Sequence, residues 1–170
     1  MKTRVIATLC VVFVLGLVSH VHAQLIAGSP EDKAFTALLA ENNLDAKLAL
    51  LLQFEKDFAQ SKVLSDIYLM QMDIYRQKND PTKAIEVGEK VIKIDAENIT
   101  ALMTVARNLS LERKNLDRAL QYAQKAVDTI AKMKTQPAPA GQTDEQWKQY
   151  IASTELAAQS ILAYVKGLRP

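Results

Sequence analysis

Apolar residues recur at intervals of three and four along most of the chain, which is the spacing of one face of an α-helix. The pattern is clearest over residues 68–98, where two such stretches are joined by a short polar turn at residues 78–81. Pro81 fits only the first turn of a helix, and Asp80 before it is a suitable helix cap. This stretch therefore predicts two antiparallel helices, the second of which begins near Pro81.

The second helix of this hairpin carries two small residues one turn apart, Ala84 and Gly88, within an apolar stripe. Because glycine costs about 1 kcal/mol of helix stability relative to alanine, Gly88 suggests that another helix approaches closely there. The two helices of one hairpin also leave apolar surface uncovered on both flanks. Further copies of the hairpin are therefore expected.

A second copy follows 35 residues further along, in the same register. Residues 99–106 open its first helix, residues 113–117 form its turn with one extra residue, and an alanine again opens its second helix. Large apolar or aromatic residues lie early and late in each first helix. The matching positions are Tyr68 and Leu102, Tyr75 and Leu109, and Ala84 and Ala119.

This period and these positions resemble the tetratricopeptide repeat (TPR) family, whose repeat is a helix–turn–helix of about 34 residues. The resemblance covers residues 66–130, and Met72, Val91 and Ala96 depart from the residue types usual in the family. It implies an all-α fold, a right-handed α-solenoid of about two and a half repeats. The two clearer repeats cover residues 65–98 and 99–133, and a further C-terminal helix follows.

The segments on either side of the clear repeats have weaker patterns. Residues 24–29 predict a flexible lead and residues 31–60 a degenerate repeat. Ser29 and Pro30 mark its first helix start, and a second helix over residues 44–58 has a broad apolar face that includes Leu52. Residues 135–143 contain two prolines and a glycine and predict a linker, which is either a spacer or a ligand for a proline-reading domain.

The last stretch, residues 144–170, predicts a single helix. Thr143 and Gln146 have the spacing of a capping box, and an apolar stripe that includes Leu156 continues to Gly167. Trp147 stands where the aromatic residue of the family would open a third repeat. The helix is expected either to cap the array or to begin an incomplete third repeat of a longer one.

Residues 1–23 have the pattern of a secretory signal peptide, with Lys2 and Arg4, an apolar run over residues 5–18, and cleavage expected after Ala23. The run is shorter than the roughly 20 residues that a helix needs to span a bilayer. We therefore expect an exported protein, periplasmic or secreted, with no membrane span in the mature chain.

Cleavage there removes every histidine and cysteine, because His20, His22 and Cys10 are the only ones. The mature chain then has no His- or Cys-based nucleophile or metal site, so we predict no enzyme, no catalytic residue, no metal and no cofactor. Carboxylate chemistry, as in a hydrolase of envelope glycans, stays open in principle. Loss of Lys2 and Arg4 also leaves the chain formally neutral, which argues against a nucleic-acid partner.

In TPR arrays the first helices of successive repeats line a concave groove, and we expect the function to lie on that groove. By match to the family, the groove residues are Leu69, Asp73, Arg76, Met103, Arg107, Ser110 and Lys148. The arginines either bind a carboxylate of a partner, beside pockets for apolar side chains, or pair with nearby acids such as Asp73. The sequence thus predicts a non-enzymatic adaptor of a bacterial cell envelope that binds a protein or peptide. There are two alternatives: the protein associates with itself as a structural envelope protein, or the chain is a fragment of a longer TPR protein.

Overall fold

A computed structural model of the protein describes residues 25–169, and the regular secondary structure in that part of the chain is α-helical throughout. Seven helices follow one another and pack sequentially in antiparallel pairs. The predicted signal peptide and its cleavage after Ala23 lie outside the described residues. The helices are α1 (Pro30–Ala40), α2 (Leu44–Asp57), α3 (Leu64–Gln77), α4 (Pro81–Ile94), α5 (Ile99–Leu111), α6 (Leu116–Met133) and α7 (Asp144–Gly167).

The helices form two compact units, one that ends at Met70 and one that begins at Gln71, so the boundary falls within α3. In the first unit the phenylalanines of α1 and α2 build the core. The ring of Phe54 meets that of Phe35 edge-on, with 6.1 Å between centroids, and lies 4.8 Å from that of Phe58. Both Phe35 and Phe54 are buried, as are Leu38 and Leu51. The weak apolar pattern of residues 31–60 is therefore a packed helical hairpin.

The predicted helix starts are confirmed. The side chains of Ser29 and Asp80 accept hydrogen bonds from the backbone N–H groups at the starts of α1 and α4, at 3.1 Å and 3.0 Å. At α7, Thr143 and Gln146 form the capping box, since each side chain accepts a hydrogen bond from the backbone of the other residue. These contacts satisfy N–H groups that have no partner inside the helix.

The turns of the two clear hairpins have the same construction. Two residues after the end of α3 and of α5 lies a residue with a left-handed backbone, Asn79 (φ 54°) and Arg113 (φ 52°). The next N–H, of Asp80 or Lys114, then donates to a carbonyl five residues back at 2.9 Å in both cases, which is the Schellman closure of a helix end. The second turn holds one residue more, as the sequence predicted. The turns of these two successive hairpins thus share one local geometry.

Gly88 lies where three helices approach one another, which confirms the close contact predicted for it. A Cβ atom on this residue of α4 would lie 2.5 Å from Cγ2 of Val105 in α5 and 3.1 Å from Sδ of Met72 in α3. Carbon atoms in contact are normally 3.5–4.0 Å apart. The packing of α4 in the second unit therefore depends on a residue without a side chain.

The direction of α7 follows from two apolar clusters in the second unit. Near its start, Trp147 shares one cluster with Leu102 of α5 and Ile130, close to the end of α6. Near its end, Val165 shares another with Leu109, at the end of α5, and with residues near the start of α6. α7 therefore runs antiparallel to α6 and parallel to α5, as the first helix of a third repeat would.

Two leucines of the predicted apolar faces lie largely in solvent, Leu52 of α2 (46% exposed) and Leu156 of α7 (69% exposed). Within residues 25–169, no helix combines the length and the apolarity needed to cross a membrane.

Candidate functional site

The predicted groove residues of α3 fall on both sides of the unit boundary. Leu69 belongs to the first unit and is partly buried. Asp73 and Arg76 belong to the second and are exposed, with Arg76 Nη1 3.1 Å from Asp73 Oδ1. Gln77 Nε2 donates to the other carboxylate oxygen at 2.8 Å. Arg76 thus pairs with Asp73, which is the alternative to binding a carboxylate of a partner.

On α5 the three predicted residues have different surroundings. Met103 is partly buried and packs against the cluster that contains Trp147. Arg107 is exposed, and its guanidinium makes no ion pair or hydrogen bond within residues 25–169. Ser110 is fully buried, and its hydroxyl donates to the carbonyl oxygen of Arg107 at 2.7 Å. The surface of α5 therefore offers Met103 and Arg107, while the hydroxyl of Ser110 is turned inward.

Lys148, the last predicted groove residue, is exposed at the start of α7 and lies in a different recess. This recess has a volume of about 380 Å³ and is bounded by α7 and by the linker that follows α6. Neither Met103 nor Arg107 lines it. The residues predicted for one groove are thus distributed over α3, α5 and the linker recess.

Three contacts join α7 to Lys134 and to the linker that follows it. Lys134 Nζ lies 2.5 Å from Glu155 Oε1, and the indole N–H of Trp147 donates to the carbonyl oxygen of Gln136 at 3.3 Å. Ala138 packs against the cluster that contains Trp147. The sequence predicted either a spacer or a ligand for a proline-reading domain here, and neither prediction placed this segment against α7. The linker is a structural wall of the recess.

Trp147, on the floor of the recess, packs against another aromatic ring. The ring of Trp147 stacks on that of Tyr150, with centroids 5.5 Å apart and planes 15° from parallel. Burial raises the pKa of Tyr150, and a hydrogen bond with Thr154 lowers it in part. Tyr150 is therefore a neutral packing group at physiological pH, and the recess takes its charge from other residues.

The remaining perturbed groups of the second unit belong to ion pairs that tie its helices together. Arg118 of α6 pairs with Glu89 of α4. Lys132 of α6 pairs with Glu97, and its hydrogen bond and positive charge lower the pKa of that carboxyl. Both pairs join neighbouring elements at their surface, so we interpret them as contributions to structure.

The chemistry of the described residues offers no further centre. Between residues 25 and 169, no group of three or more His, Cys, Asp or Glu side chains is arranged to hold a metal ion. In the first unit, burial raises the pKa of Asp66 against the effect of its backbone hydrogen bond.

No family model, no curated protein and no solved structure matches the chain.

Proposed function

We propose that the protein is a non-enzymatic adaptor of the tetratricopeptide-repeat kind, exported to a bacterial cell envelope, that binds a peptide or protein on the exposed side of α5. The observation that carries the proposal is the repetition of one turn construction in two successive hairpins. In each of the two hairpins the turn contains a residue with a left-handed backbone and is closed by an equivalent hydrogen bond. α7 then runs in the direction expected for the first helix of a third hairpin. Stacked helical hairpins of this kind serve chiefly as binding surfaces.

The chemistry of the surface favours a partner that is acidic and partly apolar. Arg107 makes no ion pair within the described residues, and Met103 lies one turn before it on the same side of α5. A charge-assisted hydrogen bond from an arginine to a carboxylate is about twice as strong as a neutral one. Arg76 is the weaker candidate, because a partner would have to displace Asp73.

The test is a pull-down from envelope extract with the wild-type protein and two charge-reversal variants. Arg107→Glu removes the unmatched charge of α5, and Arg113→Glu makes the same change at an exposed site in the turn after it. We expect a partner that binds the wild type and the Arg113 variant and is lost with Arg107→Glu. Identical partner profiles for all three proteins would exclude the surface of α5.

A second candidate function is self-association as a structural envelope protein. The observation that favours it is the exposure of Leu156 (69%) and Tyr164 (47%) on α7, since large apolar groups in solvent often mark an interface. Light scattering at increasing protein concentration separates the two functions. An adaptor stays monomeric, whereas a structural protein of this kind grows in mass, and a Leu156→Asp variant would then remain small.

A further inference from the structure

We draw no further inference here: the strongest candidate, the exposed apolar face of α7 around Leu156 and Tyr164, is already the basis of the second candidate function, and nothing in the structure shows what covers it.

Discussion

Substitution of Gly88 by alanine tests the packing of the second unit most directly. The change adds one methyl group to α4, 2.5 Å from Cγ2 of Val105 and 3.1 Å from Sδ of Met72. Met72 can yield because its side chain is flexible. Val105 is fully buried, and its branched side chain is restricted to few rotamers. The clash with Val105 therefore decides the result.

Two effects of opposite sign determine the magnitude. Alanine stabilises a helix interior by about 1 kcal/mol relative to glycine. Overpacking of a well-filled core costs about 1–3 kcal/mol, and a contact more than 1 Å inside the normal distance belongs to the upper part of that range. We expect Gly88→Ala to lower the free energy of unfolding by about 1–2 kcal/mol. Gly167→Ala, near the end of α7 with open space around it, should be neutral or stabilise by less than about 1 kcal/mol.

Urea unfolding measures both values, followed by circular dichroism and by the fluorescence of Trp147, which lies in the same unit as Gly88. Agreement of the two signals is the check that this unit unfolds in one step. The double variant Gly88→Ala, Val105→Ala should be less destabilised than the sum of the single variants by about 1 kcal/mol or more, because the new methyl fills space that Val105 vacated. A Gly88→Ala variant as stable as the wild type would refute the close approach at this residue.

Three further outcomes are expected. Arg113→Gly should raise the free energy of unfolding by about 1 kcal/mol, since glycine adopts the left-handed backbone of this turn without a steric cost, whereas Lys114→Gly, where φ is not positive, should give no gain in urea unfolding. Asp66→Asn should raise the midpoint of thermal unfolding at pH 7. Because burial raises the pKa of Asp66 in the folded protein, the free energy of unfolding falls as pH rises above 3.8, the pKa of the unfolded carboxyl. The uncharged amide of asparagine removes this loss. At pH 3, where both side chains are neutral, the two midpoints should agree, and a difference as large as that at pH 7 would contradict the burial effect. Thr143→Ala should cost about 1 kcal/mol of stability by removing the cap of α7, and an unchanged denaturation midpoint would show that Gln146 alone closes this end.

Local features were predictable because they depend on neighbours in the sequence. The caps at Ser29, Asp80 and Thr143 each depend on a side chain and an N–H group three residues apart, and the position of Gly88 in a stripe of apolar residues was enough to indicate a close contact. Pro81 placed the first residue of α4, and helix periodicity placed that of α5. The all-α architecture with sequential packing therefore followed from short-range chemistry.

The candidate site was less predictable, because its residues depend on what lies beside them in space. Arg76 pairs with Asp73, and the hydroxyl of Ser110 donates to its own helix, whereas Arg107 makes no ion pair in the described residues. The family pattern assigned all three residues to one groove by position alone. Side-chain partners then determined which of them is available to a ligand.

The sequence by itself thus determined the helices of the described chain, their ends, and the repetition of a hairpin, since each depends on residues within one or two turns. The tertiary structure alone decided that Leu156 lies in solvent, that the linker is attached to α7, and that Lys148 faces a recess with Trp147 on its floor. The physical reason is that burial and charge pairing depend on helices distant in sequence, whose approach fixes which side of each stripe is covered.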